Sequence, residues 1–302
     1  MTFPRHPLAG CGTALVTPFT PEGAVDEPAL RALVAWQVEQ GIHVLVPCGS
    51  TGEAATLGAD EQERVIAITA EVADGRVPIV AGVGTNDPRK VIASARAAVR
   101  VGATHLLVVS PMYSRPPQRG IVAHFTAIAD AVERPVMLYN VPGRTASNMT
   151  AETTLALAAH PNIVAMKEAS GDLTQVAEIL RHRPEDFAVL SGDDPLTLDL
   201  MRAGGDGVIS VCSNATPVVM TRLVEAMLRD GGADHEEAAR LDASLRPWYA
   251  AAFLESNPIP VKAALAMMGR IHDVLRLPLV PLADAHRPAL QAALVAAGAL
   301  PA

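Results

Sequence analysis

Eight short runs of branched apolar residues, each set off from the next by a stretch of helical periodicity, constrain this 302-residue chain more than any other feature. The runs are Gly12 to Phe19, His43 to Cys48, Val77 to Val83, His105 to Ser110, Pro135 to Asn140, Ile163 to Lys167, Phe187 to Ser191 and Gly207 to Cys212. Inside each run apolar residues follow one another without alternation. That pattern is wrong for a strand with one wet face and right for a strand covered on both sides. Buried parallel strands joined by helices form an open doubly wound sheet or a closed barrel, and eight strands is the number that closes. The expected fold is therefore α/β, a (β/α)8 TIM barrel over residues 1–230. From Asp230-Gly231-Gly232 onward the alternation stops. Helical segments broken at Asn257-Pro258-Ile259-Pro260 and near Leu277-Pro278 predict a C-terminal helical appendage over 231–302, packed on the barrel.

The connecting segments carry the matching punctuation. Asp87-Pro88 and Asp194-Pro195 read as helix starts, with Asp capping free N–H groups and Pro in the first turn. In the first helix Leu30, Leu33, Val34 and Val38 share one face, and Gly41 stands where the chain must turn out. With 32 Asp and Glu against 24 Lys and Arg, the net charge of -8 offers no electrostatic footprint for nucleic acid or a membrane surface. No apolar stretch is long enough to cross a bilayer, and the N-terminus lacks a signal-like run, so a cytoplasmic location is expected. Three scattered Cys and nine His without HxH or HExxH spacing give no preassembled metal site, leaving only a lone carboxylate on magnesium open. Gly82-Val83-Gly84 lacks the third glycine of a dinucleotide fingerprint, and no P-loop is present.

Reacting groups of such barrels sit where strands end and the following loops begin. Lys167 closes an otherwise apolar run, where burial would favour a neutral amine able to attack a carbonyl. A lysine in this place also suits a head group that reaches water or pairs with Glu168. Tyr139 closes the preceding run and could move protons beside an amine, or serve as a core-edge aromatic. Arg144 follows the tight Pro142-Gly143 turn and offers a fork for a carboxylate; a solvated surface arginine is the plainer reading. Gly49-Ser50-Thr51-Gly52-Glu53 can present hydroxyls and N–H groups to a small anion, and is equally compatible with a simple βα turn.

Taken together, Gly49-Ser50-Thr51-Gly52-Glu53, Tyr139-Asn140-Val141-Pro142-Gly143-Arg144-Thr145 and Lys167-Glu168-Ala169-Ser170-Gly171 resemble the dihydrodipicolinate synthase and N-acetylneuraminate lyase superfamily. The resemblance extends over nearly the whole chain, and Asn257-Pro258-Ile259-Pro260-Val261-Lys262 and Leu275-Arg276-Leu277-Pro278 resemble its synthase branch. It implies a Schiff-base aldolase without cofactor or metal, in which Lys167 condenses with pyruvate and the resulting enamine attacks aspartate semialdehyde. By the same resemblance Tyr139 is the proton-shuttling phenol, Ser50 bridges the relay, and Tyr113 is donated by a neighbouring subunit of a homodimer, usually doubled to a tetramer. Thr51 would hold the pyruvate carboxylate and Arg144 that of the semialdehyde, with the Ile209 carbonyl near the imine and Gly192 a close-approach position. Ser50 replaces the commoner Thr and is also found in sugar-acid aldolases of the superfamily, which keeps a longer 2-keto acid open as substrate. A catalytically silent keto-acid sensor is a further alternative, disfavoured by the joint presence of Lys167, Tyr139, Tyr113, Ser50 and Arg144.

The resemblance also carries an expectation about regulation. Lysine-sensitive members hold the inhibitor with His, Glu and Tyr side chains, where this chain has Ala59, Gln62, Lys90 and Met112. An ammonium at Lys90 repels the ammonium of the inhibitor. Lysine is therefore expected to inhibit weakly or not at all, as a titration of turnover against lysine would measure; half-maximal inhibition at submillimolar lysine overturns this.

Overall fold

The computed structural model describes residues 6–229 and 232–301, so the first five residues, read above as lacking a signal-like run, the Asp230-Gly231 step and Ala302 lie outside it. Eight parallel strands, β1 (Gly10–Ala14), β2 (Val44–Val46), β3 (Val80–Gly82), β4 (His105–Val109), β5 (Val136–Asn140), β6 (Ile163–Glu168), β7 (Ala188–Ser191) and β8 (Gly207–Ser210), alternate with helices. Their order is β2-β1-β8-β7-β6-β5-β4-β3. Closure between β2 and β3 comes from a Leu45–Ile79 bridge, with Leu45 N–H donating to the Pro78 carbonyl (3.1 Å) and Gly82 N–H to that of Pro47 (2.9 Å). The barrel is thus a TIM barrel, as the eight runs imply.

All eight runs contain a strand, and the differences lie in where the ladders stop. The first run was expected to extend to Phe19, yet β1 ends at Ala14. Beyond it the Val16 N–H turns to the side chain of Asn214 (3.2 Å), and Phe19 bridges Val25 in antiparallel fashion. Apolarity there reflects burial under the loops, which a sequence cannot tell from burial in a ladder.

Period-two alternation sorts the strand residues into two cores. Val44, Val46, Val80, Leu107, Met137, Tyr139, Ala165, Ala188, Leu190 and Ile209 fill the barrel interior. Their alternates, among them Leu45, Leu106, Val108, Leu138, Met166 and Val189, pack outward against the helices. The first helix, Glu27–Glu39, buries Leu30, Leu33 and Val34, and Gly41 leaves it with φ +85°. Asp87 caps helix Pro88–Arg100 by accepting from the Arg89 N–H. Asp194 does not cap in this way: its buried carboxylate accepts from the Ser210 hydroxyl (2.5 Å) and the N–H groups of Val211 (3.0 Å) and Cys212 (3.1 Å), bracing the end of β8.

Among the described residues after 232 the main helices are His235–Ala251, Ile259–Met267 and Arg287–Ala296. Trp248 is fully buried and donates from its indole N–H to the Cys212 carbonyl (3.2 Å). A stronger tie runs from helix Ile259–Met267 to the loop after β2. The Lys262 ammonium, fully buried, donates to Glu53 Oε1 (2.6 Å) and to the Thr17 carbonyl (2.9 Å), and lies 4.1 Å from the centre of the Phe19 ring. Burial lowers the Lys262 pKa, against the opposing pull of Glu53. The second Glu53 oxygen accepts from the Arg276 N–H (3.1 Å).

A buried pair of this kind is costly to break by halves, because the remaining charge keeps its desolvation penalty without its partner. Glu53→Ala is expected to lower unfolding free energy by about 3–5 kcal/mol, and Glu53→Met with Lys262→Met together by much less. Urea unfolding of the three proteins measures this; a single-variant loss under about 1 kcal/mol would show a pair as weak as an exposed one.

Candidate active site

Lys167 shares the inward face of β6 with Ala165, so its side chain enters the barrel, while Glu168 next to it must point the other way. The register pairs Lys167 with Tyr139 on β5, and the Lys167 Nζ lies 4.4 Å from the centre of the Tyr139 ring. Lys167 is 5% exposed and Tyr139 7%. Glu168 accepts from the Ser170 N–H (2.6 Å) and from the Asn140 side chain (3.2 Å) on the outer face, which rules out the alternative of a Lys167–Glu168 ion pair.

Burial pushes the Lys167 pKa down to about 8; the Asp194 carboxylate opposes this and the Arg144 guanidinium assists it. At pH 7 roughly one lysine in ten is then neutral, against about one in three thousand for an unperturbed side chain. Burial pushes the Tyr139 phenol up to about 12, with Arg144 opposing and Asp193 assisting. The site therefore holds a basic amine that releases its proton readily and a phenol that keeps its own.

Both groups face a cavity of about 560 Å³ at the C-terminal end of the strands, also lined by Ser50, Thr51, Arg144 and Gly192. The loop after β2 enters it between two non-glycine residues in left-handed backbone conformation, Cys48 (φ 56°) and Glu53 (φ 53°). The loop's own backbone bonds use the N–H groups of Gly52, Glu53 and Ala54, and those of Ser50 and Thr51 have no acceptor among the described residues. Ser50 is exposed and Thr51 buried, and the Thr51 hydroxyl accepts from the Asn257 side chain (2.9 Å). Arg144 sits on the short helix Pro142–Thr145, donating from Nη2 to the Asn257 carbonyl (3.2 Å). A neutral amine, a phenol, a hydroxyl loop and a guanidinium around one volume suit addition to a carbonyl that carries a carboxylate.

Two expected residues fall outside this volume. Ile209 is fully buried on β8 opposite Gly12 and does not line the cavity. Tyr113 lies four residues beyond the end of β4, is 92% exposed and adopts φ +67°. Its N–H donates to the Thr145 carbonyl (3.0 Å), and the preceding Met112 is clamped through both backbone groups by the side chain of Asn86. Conversely, Asp193, Arg246, Tyr249, Phe253 and Asn257 line the cavity without having been singled out for a role in the sequence. The Asn-Pro-Ile-Pro break marks Asn257 as a chain interruption, but nothing in the local pattern says that it returns to the barrel mouth. Of the four positions expected to weaken lysine binding, Ala59, Lys90 and Met112 are exposed, and the Gln62 amide is engaged by the carbonyls of Ala54 (3.0 Å) and Leu57 (3.4 Å). Among the described residues no group of three or more His, Cys, Asp or Glu comes together as a metal site, and no helix is long and apolar enough to cross a membrane.

Residues 7–297 match the model of the dihydrodipicolinate synthetase family. The chain belongs to that family. It is 50% identical over 294 residues to the 4-hydroxy-tetrahydrodipicolinate synthase of Koribacter versatilis, covering 97% of each chain. Among solved structures it is similar to the chloride-inhibited dihydrodipicolinate synthase of Acinetobacter baumannii complexed with pyruvate, at 42% identity and TM-score 0.94, over 97% of this chain and 100% of that one. It is equally similar in fold to a monomeric dihydrodipicolinate synthase variant, at 40% identity and TM-score 0.94, over 97% of each chain.

Gly192 meets Lys167 at close range in the cavity wall. A Cβ there would sit 2.9 Å from Ala169 Cβ and from Lys167 Cε, and 3.0 Å from Lys167 Cγ, and of these neighbours the lysine side chain is the one with freedom to move. Gly192→Ala must displace the lysine, and a shift approaching 1 Å at a reacting atom costs about a hundredfold in rate. Borohydride trapping of a small carbonyl compound on Lys167 should slow by about ten- to a hundredfold with little change in thermal stability; an unchanged trapping rate would mean that the side chain has room to yield.

Proposed function

We propose that the protein is a 4-hydroxy-tetrahydrodipicolinate synthase, which condenses pyruvate with aspartate semialdehyde through an imine on Lys167. The observation that carries this reading is a buried primary amine, its pKa lowered to about 8 by burial, packed on a phenol inside a cavity whose rim offers carboxylate-binding groups. The family membership and the pyruvate-bound relative support it.

In this scheme the neutral Lys167 nitrogen adds to C2 of pyruvate, and loss of water from the carbinolamine leaves the imine. Removal of a C3 proton gives the enamine, whose carbon attacks the aldehyde of the semialdehyde. Attack of the substrate amine on the imine carbon then closes the ring and releases the lysine, so neither a cofactor nor a metal is called for. Tyr139 is assigned the proton transfers, since its high pKa keeps it protonated and able to hand a proton to a departing hydroxyl. Thr51 and the free N–H groups of its loop are assigned the pyruvate carboxylate, Arg144 that of the semialdehyde, Ser50 the bridge of the relay and Gly192 the tight wall. The Ile209 carbonyl is retained only as a neighbour of the imine. Tyr113, exposed on a tethered loop and away from its own cavity, is assigned to the site of a neighbouring copy in a homodimer, with a tetramer as the larger assembly. Residues 1–230 are taken as the catalytic barrel and 231–302 as a helical region that closes one wall of the cavity through Arg246, Tyr249, Phe253 and Asn257. The soluble substrates fit a cytoplasmic enzyme.

Ser50 favours one second reading, a related aldolase or dehydratase acting on N-acetylneuraminate or a 2-keto-3-deoxy sugar acid at the same lysine. Relative turnover of pyruvate with aspartate semialdehyde against those two compounds separates the readings.

Borohydride with pyruvate should leave a stable adduct on Lys167, absent in Lys167→Ala and indifferent to chelators. The group is protonated below about pH 8, so the free-amine fraction falls about tenfold per unit of pH beneath that value. The trapping rate at limiting pyruvate is expected to rise with pH through this range and to level off above it. Mass spectrometry of quenched samples gives both; an adduct elsewhere, or a flat profile between pH 6 and 8, would remove Lys167 as the nucleophile.

A further inference from the structure

We infer that Asn257 is a positioning residue that aims the Thr51 hydroxyl proton and the Arg144 guanidinium at the carboxylates in the cavity, an inference that rests on the function proposed above. Asn257 is buried at the cavity wall, 6% exposed, and joins the barrel mouth through two different groups. Its side-chain amide donates to Thr51 Oγ1 (2.9 Å), and its backbone carbonyl accepts from Arg144 Nη2 (3.2 Å).

The direction of the first bond decides what Thr51 can do. A hydroxyl has one proton and two lone pairs, whereas an amide NH₂ can only donate. With Asn257 donating, the Thr51 oxygen is the acceptor and its proton stays free. Among the described residues that hydroxyl has no other hydrogen-bond partner, and Thr51 lines the cavity, so the proton is available to an anion there. The Asn257 amide oxygen meanwhile is buried without a donor among the described residues. Turned over, the amide would accept the Thr51 proton and draw it away from the cavity, leaving the NH₂ unpaired in place of the oxygen. The backbone bond acts on Arg144 in parallel, taking up one N–H of an otherwise exposed fork and leaving the others for a second carboxylate.

Substitution separates the two bonds, because any residue at 257 keeps the carbonyl that holds Arg144. Asn257→Asp replaces the donor by an acceptor, so the Thr51 proton turns to it and a negative charge faces the carboxylate. Asn257→Ala removes the donor alone. Imine formation on Lys167 of the full-length protein, trapped with borohydride over a pyruvate series, reads half-saturation and limiting rate separately. For Asn257→Asp half-saturation should rise by about ten- to a hundredfold with a smaller change in limiting rate, and for Asn257→Ala by about three- to tenfold. In a Thr51→Val background Asn257→Ala should have no further effect on half-saturation, which a merely structural role would not produce. This cycle also decides the matter should Asn257→Asp fail to fold. Unchanged half-saturation in Asn257→Asp, or additive effects of Asn257→Ala and Thr51→Val, would overturn the inference while leaving the wild-type imine intact. Absence of any imine in the wild-type protein would instead bring down the proposed function, and the inference with it.

Discussion

A primary amine held at the end of a buried parallel strand is the constraint around which the rest of the site is arranged. Taking Lys167 out of water disfavours its ammonium form, and that penalty is what makes the nitrogen nucleophilic near neutral pH. The same penalty would be cancelled by a carboxylate in contact. Two buried carboxylates lie close in sequence or space, and each is kept from that contact by a separate device. Glu168 is turned to the outer face by strand alternation and satisfied there by Ser170 and Asn140. Asp194 spends both oxygens on Ser210, Val211 and Cys212, so it acts on Lys167 through its field and not through a bond. The lysine therefore sits between the two limits of a free ammonium and a locked ion pair.

The loop after β2 poses the complementary problem. To present the N–H groups and hydroxyls of Ser50 and Thr51 it leaves these two outside its internal bonding, and it holds Cys48 and Glu53 in left-handed conformations that cost of order 1 kcal/mol or more each. Such a loop keeps its shape only if something outside it fixes its ends. The Glu53–Lys262 pair, with Phe19 under the ammonium and Arg276 on the second oxygen, fixes one end from the helical region. Asn257, five residues before Lys262, fixes the middle at Thr51. One short segment after the barrel thus sets the geometry of a loop more than two hundred residues earlier in the chain.

What could be read from the sequence followed the range of the forces involved. Strand burial and strand number are written in runs of adjacent residues, and all eight runs carry a strand. The inward aim of Lys167 follows from period two once Ala165 is placed inside, and its pairing with Tyr139 follows from the register of adjacent strands. Asp87 behaves as a cap because capping is local, whereas Asp194 looks the same in sequence and is drawn instead to a hydroxyl and two N–H groups sixteen to eighteen residues away. Arg246, Tyr249, Phe253 and Asn257 carry no local signal because their role depends on how the helical region docks. Tyr113 and Ile209 took their roles from the resemblance, and within one chain neither lines the cavity.

Tyr113 is the expected site residue that one chain leaves outside the cavity. A large aromatic at 92% exposure in a left-handed conformation gains nothing from its own fold, since neither hydrophobic burial nor backbone preference favours it there. The loop is nevertheless held at both backbone groups of Met112 and at the N–H of Tyr113, three bonds that restrict it without covering the ring. Ordering a segment costs conformational entropy whether or not its side chain is used. A loop ordered by its backbone and exposed at its side chain leaves the ring uncovered, and under the proposed homodimer a second copy placing this phenol over the cavity mouth would recover the burial that one copy leaves unmade.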